Sequence, residues 1–263
     1  MTTPRPTYTG SMPAFYEQYM MPLHFAWHGR ALAGRLTDLT SGEILETAAG
    51  TGAATRALAA TLPEAVGITA TDLNQPMLDL GAALPGLERV RWRQADAQAL
   101  PFGDQTFDAV VCQFGVMFFP DRHAAFAEAW RVLKPGGRLL FSTWDGLESN
   151  PLGHIAHQTV FTLFPALPEH SALVPYVYRD PATIRADVSR AGFSEMRIET
   201  VVGVSRAGSA SDVAYAMCQG GVVRGAIEPL GPGRLGEATE AVTRAIAACF
   251  GEGPIEAPNQ AFW

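Results

Sequence analysis

The sequence is poor in several things. Three cysteines, Cys112, Cys218 and Cys249, are odd in number and far apart, and no CxxC pair or Cys/His cluster occurs. That supports neither a disulfide framework nor a zinc site and predicts buried, apolar thiols in a reducing compartment. Charged residues make up 17% of the 263 positions, the net charge is −7, and no Lys/Arg-rich run appears. A surface that tracks phosphates is disfavoured, so no nucleic-acid partner is expected. No apolar run of about 18 residues is present, and the start, MTTPRPTYTGSMP, lacks the apolar h-region of a secretory signal. The expectation is a soluble cytoplasmic protein with no membrane span. Internal repeats and low-complexity segments are also missing.

What is there is ample core material, 48% hydrophobic residues, and one stretch around which the rest is arranged. Residues 44–55 read ILETAAGTGAAT. An apolar run ends in Gly50-Thr51-Gly52 and gives way at once to a helix-forming segment: a strand, a tight turn and a helix start. Glycine there reaches positive φ cheaply and lets backbone N–H groups approach a ligand. A helix N-terminus pointing into the gap favours polar or anionic ligand groups. The inference is a small-molecule site at the carboxyl end of a first, central, parallel strand.

Residues 1–12 are rich in Pro, Thr and Ser and are expected to be mobile. From Pro13 to Leu36 the pattern is helical, with Phe15, Tyr19, Leu23 and Trp27 recurring every four residues. Such a stripe is either core or a lid over the site, with Tyr16, Tyr19, Phe25 or His28 reaching the ligand. A second strand, 65–71, ends in Asp72-Leu73-Asn74, where Asn74 or Gln75 is positioned to cap the helix that Pro76 helps to start. Asp72 lies about 20 residues after Gly52, the distance at which an acid on a second strand tip accepts ribose hydroxyls. The third strand, 90–94, ends in Asp96, a carboxylate able to accept from an exocyclic amine such as that of adenine.

A fourth strand, 107–112, is a near-continuous apolar run of the doubly covered kind and ends in Gln113-Phe114-Gly115. Asp121 caps a helix whose Ala125, Phe126, Ala129, Trp130 and Leu133 form a buried stripe. Lys134-Pro135-Gly136-Gly137 stops it, and 138–144 is the fifth strand. This alternation predicts a parallel sheet with right-handed crossovers. Beyond it come a helix from Asn150 or Pro151 to Phe164, an irregular Pro-rich stretch to Tyr178, a helix from Asp180-Pro181 to Ala191-Gly192, and a sixth strand over 194–205. Two more helices, 211–219 and 234–250, flank a Gly/Pro-rich loop, and the tail, 257–263, supplies only a short last strand.

With the strand tips laid out, the chain resembles the class I S-adenosylmethionine-dependent methyltransferases, closest to the small-molecule branch of the ubiquinone and menaquinone methyltransferases. The resemblance rests on LETAAGTG (45–52), TDLNQPML (71–78), QADAQALPFGDQTFDAVVCQFGVMFF (94–119) and RVLKPGGRLL (131–140), in the right order and spacing. It implies a Rossmann-like α/β fold, a doubly wound seven-stranded sheet of order 3-2-1-4-5-7-6 with the last strand antiparallel. The divisions are then an N-terminal segment with lid helices (1–36), a cofactor-binding core (37–145), a helical insertion forming a substrate cap (146–180), and a C-terminal completion of the core with a second helical insertion (181–263).

The resemblance also implies site residues. Glu46, Thr47 and the turn Ala48 to Gly52, including Gly50, would sit under the methionine part of S-adenosylmethionine; Tyr16 and Tyr19, on the lid reading of their helix, are further cofactor-binding candidates. Asp72 would hold the ribose, Leu73 and Met77 would flank the adenine, and Asp96, Ala97 and Gln98 would meet its amino edge. Gln113, Phe114 and Gly115 would line the path to the sulfonium. Ala48 stands where the family has its first glycine, so an extra methyl narrows the turn slightly. The segment past Trp144 carries no family-wide motif.

Methyl transfer from a sulfonium is an in-line displacement in which the protein aligns the nucleophile, excludes water and, where needed, removes a proton. Candidate bases are His28, His154 and His157, the last two three apart on one helical face. They lack a third ligand by spacing, so no metal is expected. Trp144, Phe161, Phe164, Tyr176 and Tyr178 suit either an apolar acceptor pocket or the core of a cap. The competing readings are a non-catalytic S-adenosylmethionine-binding protein acting as a sensor or partner subunit, a nicotinamide oxidoreductase and a nucleic-acid methylase. The second is disfavoured because Thr55 stands at the third glycine position of GxGxxG, the third by the acidic balance. The acceptor, the atom methylated and a homodimer are left open.

Overall fold

The computed structural model describes residue 8 and residues 10–168 and 173–263. Among them, seven strands form one sheet of order 3-2-1-4-5-7-6: β1 (Gly42–Glu46), β2 (Val66–Asp72), β3 (Val90–Gln94), β4 (Phe107–Gln113), β5 (Leu133–Trp144), β6 (Thr200–Ala207) and β7 (Ile255–Phe262). Strands β1 to β5 run parallel, and β7 is antiparallel to both β5 and β6. β1 shows why the central strands read as unbroken apolar runs. Ile44 packs with Leu32 and Leu58 on one face, and Leu45 packs with Leu100 and Val110 on the other, so the strand is covered on both sides.

Helix α1 (Met12–Phe15) runs through the wide π turns of Tyr16–Phe25 into α2 (Ala26–Ala33). The stripe of that stretch divides. Leu23 is buried, with Tyr19 packed beside it, in the core formed by the later helices, whereas Tyr16 and Phe25 belong to the aromatic core above the sheet. Arg56 on α3 (Ala53–Thr61) grips Glu17 through two hydrogen bonds, 2.6 and 3.2 Å, tying this segment down over the first turn. Then come α4 (Gln75–Ala82), α5 (Arg122–Val132), α6 (Pro151–Leu163), α7 (Pro181–Arg190), α8 (Ala210–Tyr215), α9 (Arg224–Ile227) and α10 (Arg234–Phe250). Helices α6, α8 and α10 bury Leu152, Val160, Val213, Val242 and Ile246 against one another, a second core beside that of the sheet.

Several expectations are corrected. The last strand is not short: β7 pairs with β6 from Ala207↔Ile255 to Thr200↔Phe262. β6 starts at Thr200, because residues 194–199 run as irregular chain. Trp130 is 49% exposed; it lies at the margin of the α5 stripe and covers Phe193 edge-on at 4.8 Å. Cys249 is exposed near the end of α10, while Cys112 and Cys218 are buried. Asp121 and Asp180 do cap their helices through side-chain oxygens. Asn74 stands at the cap position of α4 without capping it. Of the stretch expected to be mobile, residues 1–7 and 9 lie outside the described residues. No described helix is long and apolar enough to cross a membrane.

Candidate functional site

The tips of β1, β2, β3 and β4 meet along one edge of the sheet, and a cleft of about 760 Å³ opens there. Its floor is the first turn. Ala48 and Gly50 take positive φ, 52° and 58°, so the chain doubles back and presents backbone rather than side chains. Gly50 N–H donates to Asp72 Oδ2 at 2.9 Å, and Asn74 donates to Oδ1 from its backbone and its amide at 2.8 and 3.1 Å. These donors aim the Asp72 carboxyl, which burial holds above its ordinary pKa while the hydrogen bonds oppose the shift. Asn74 Oδ1 in turn accepts the Tyr8 N–H at 3.2 Å. Its side chain therefore links the second tip to the N-terminal segment, and that is why it is not available as a cap.

At the third tip, Asp96 Oδ1 accepts from Gln98 N at 3.0 Å and Gln98 Nε2 at 2.9 Å, and Gln98 Oε1 accepts the Asp121 N–H at 2.8 Å. Asp96, Ala97 and Gln98 line the cleft, as do Leu73 and Met77 on the flank between the second and third tips. Leu73 is 38% exposed, whereas Met77 is buried. From the fourth tip come Gln113, Phe114 and Gly115. Gln113 Nε2 donates to the Phe25 carbonyl at 3.1 Å, and its buried Oε1 has no partner. A buried acceptor without a partner beside a cleft calls for an explanation.

Four of the residues singled out from the sequence stand elsewhere. Glu46 is buried behind the turn, where its Oε2 accepts the Thr55 hydroxyl at 2.6 Å; burial pushes its carboxyl up to about 8. Thr47 lies beside it, with its N–H on the Val111 carbonyl. Gly52 begins α3 at φ 90° with the Trp92 ring against it. Tyr19 turns to the helical cap and stacks on Tyr215 at 5.2 Å. Tyr16, by contrast, lines the cleft, and burial holds its phenol well above the ordinary range.

A second cavity, about 970 Å³, adjoins the cleft and shares Tyr8, Tyr16, Phe114 and Phe118 with it. Phe114 is held at φ 51°, a conformation unfavourable for a bulky residue, and stacks on Trp144 with centroids 3.9 Å apart. That stack forms part of the wall between the strand tips and the cap. Among the described residues, no Asp, Glu, Lys or Arg lines this cavity; its polar residues include His24, Asn150, His157, Tyr176, Ser205 and Asn259. Gly153 on α6 makes room for the Tyr176 hydroxyl, with which a Cβ would overlap.

The three candidate histidines are thus separated. His28 is fully buried beneath Phe114 and Trp144, its Nε2 on Asn259 Oδ1 at 2.9 Å. His154 is exposed, and His157 reaches the inner cavity, stacked on Phe161 at 4.5 Å. Tyr8, His24, Ser205 and Asn259 escaped notice in the sequence. Tyr8 sits in a stretch that reads as a tail, and the other three carry no local motif.

A family model described as a methyltransferase domain matches residues 45–141. The chain is 32% identical over 174 residues to the ubiquinone/menaquinone biosynthesis C-methyltransferase of Marinomonas sp., covering 61% of this chain and 69% of that one. Among solved structures, the YcgJ protein of Bacillus subtilis superposes with a TM-score of 0.57 at 20% identity over 90% of this chain and 96% of that one. Phosphoethanolamine N-methyltransferase 2 of Haemonchus contortus, solved with S-adenosyl-L-methionine, gives 0.57 at 16% identity over 96% of this chain and 55% of that one.

Proposed function

This chain belongs to the class I S-adenosylmethionine-dependent methyltransferases, and from that premise we propose how its two cavities divide methyl transfer to a small molecule. The strand-tip cleft takes the cofactor, and the inner cavity takes the acceptor. The observation that carries this reading is their junction: the aromatic side chains Tyr8, Tyr16, Phe114 and Phe118 belong to both cavities. The inner cavity is lined mainly by apolar and aromatic side chains with a few polar groups among them, the lining a small-molecule site requires.

The residues of the cleft fit the cofactor. Asp72, aimed by Gly50 and Asn74, accepts from ribose hydroxyls. Leu73 and Met77 form an apolar flank for the adenine, whose amino edge faces Asp96, Ala97 and Gln98. The orphan Gln113 Oε1 accepts from the amino-acid end. When bound, the cofactor supplies a methyl group activated by a sulfonium. The protein's part is to hold the acceptor in line with it, to exclude water with the aromatic junction, and to present ring faces to the positive sulfur. His28 takes no proton from the acceptor, because it is sealed from both cavities. His157, unlike His28 and His154, lines the acceptor wall. The non-catalytic reading is not favoured by relatives named as methyltransferases, and an open second cavity argues against it as well.

Calorimetric titration with S-adenosylhomocysteine tests the assignment. Asp72→Ala, which removes a charged acceptor, should weaken binding about 10- to 100-fold, with circular dichroism unchanged. Normal binding by this variant would sink the ribose assignment.

A further inference from the structure

The inner cavity holds a chain of hydrogen bonds that sets the protonation pattern of one histidine. Asn259 Nδ2 donates to Ser205 Oγ at 2.8 Å, and Asn259 Oδ1 receives His28 Nε2–H at 2.9 Å. Ser205 is 1% exposed, and among the described residues His24 Nδ1, 2.8 Å away, is the one acceptor its hydroxyl proton can reach, so the hydroxyl donates there rather than leave its own proton unpaired. His24 Nδ1 is therefore the acceptor, and the ring proton sits on Nε2. The reverse direction of the chain would place a proton on His28 Nδ1. That atom is buried with no partner, and an orphaned buried N–H is costlier than a bare lone pair. His24 lines the cavity, and its Nε2 has no protein partner among the described residues. Burial, with a smaller effect from His28, pushes its pKa down to about 3, so the ring stays neutral.

We propose that His24 presents its Nε2–H to an oxygen of an uncharged acceptor, and that Ser205, Asn259 and His28 are positioning residues that lock this tautomer. The proposal rests on the reading of the inner cavity as the acceptor site. The acceptor class follows from the lining. No charged side chain among the described residues stands ready to pair with a carboxylate, phosphate or ammonium, and such a group would lose its hydration without compensation. A ketone, ether or amide oxygen, by contrast, meets a fixed donor. The rings of Trp144 and Phe25 lie edge-on to the His24 ring, with centroids 5.4 and 6.0 Å from its own, which favours a flat, apolar body. His24 acts as an orienting donor and removes no proton, since its other nitrogen is already occupied.

The test uses the full chain without cofactor and a matched pair of probes, α-tetralone and tetralin, which differ by one carbonyl oxygen. Nitrogen NMR of histidine-labelled protein reads which ring nitrogen of His24 carries the proton. The expected result is a proton on Nε2 and about tenfold tighter binding of the ketone than of the hydrocarbon. His24→Phe should abolish that preference while keeping the ring. Asn259→Asp accepts from both neighbours, so Ser205 turns round, His24 is protonated on Nδ1, and the ketone preference disappears. Where that buried carboxylate prevents folding, Ser205→Ala breaks the same chain and should leave His24 without a fixed tautomer. A bare Nε2 in the unaltered protein, or a ketone preference that survives His24→Phe, overturns the proposal. Failure of S-adenosylhomocysteine to bind the unaltered protein would instead overturn the cofactor assignment, because the tautomer is read without cofactor.

Discussion

Gly115→Ala probes the first turn directly. Gly115 has φ −103°, open to any residue, so the cost of a methyl group is purely steric. A Cβ there would lie 2.5 Å from the Ala48 Cβ and 2.7 Å from Cys112 Sγ, where apolar contacts settle at roughly 3.5–4.0 Å. Neither neighbour can yield easily. Cys112 is 2% exposed within the central strand β4, and the Ala48 methyl is fixed by a backbone held at φ 52°. Overpacking of this kind costs about 1–3 kcal/mol, and two simultaneous overlaps place this case near 3. Ala48→Gly alone should be nearly neutral, since relief of roughly 1 kcal/mol at positive φ is offset by about 0.5–1 of glycine chain entropy. Combined, Ala48→Gly removes one of the two overlaps and should recover about 1 kcal/mol of the Gly115→Ala loss. Urea unfolding of the four proteins gives the cycle. A Gly115→Ala cost below about 0.5 kcal/mol, or strict additivity in the double variant, would refute this account of the turn. Gly115 thus leaves the room that the Ala48 methyl occupies.

Three further outcomes follow from the same contacts. Glu46 has its carboxyl raised from 4.5 to about 8 in the fold, so its stabilising contribution is complete below pH 4.5 and is lost as pH rises through 8. Glu46→Gln should flatten that slope in thermal unfolding and be the more stable protein at pH 8; an unchanged slope would count against the buried acid. His24 and His28 are depressed from 6.5 to about 3 and about 4, so their contribution holds above pH 6.5 and disappears as pH falls through those values. In the Glu46→Gln background, near-ultraviolet dichroism should therefore report loss of stability already below pH 6.5, and a flat response down to pH 4 would contradict it. Gly153→Ala forces the Tyr176 hydroxyl out of its place; it should raise the KM for acceptors several-fold and leave S-adenosylhomocysteine affinity within about twofold. Weakened cofactor binding in that variant would show that the two cavities are not separate.

The sheet and the strand-tip cleft were legible in the sequence because each is specified locally. A strand, its glycine or acid, and the following helix lie within a few residues of one another, so Gly50, Asp72, Asp96 and Gly115 could be read from order alone. Local reading failed where an element's partner decides its place. Glu46 follows the β1 pattern, yet Thr55 draws it behind the turn. Tyr19 is one helical step from Tyr16, and the π turns send the two to opposite cores. β7 looked short because its length is defined by β6 across the sheet.

What the sequence by itself determined is the parallel core and the row of groups at its edge, since hydrophobic periodicity and turn chemistry act between near neighbours. Only tertiary structure decided the inner cavity. Its polar chain joins His24 to Ser205 and His28 to Asn259, pairs 181 and 231 residues apart. Their meeting depends on β6 and β7 packing beneath the N-terminal helical segment, and no local pattern encodes that encounter.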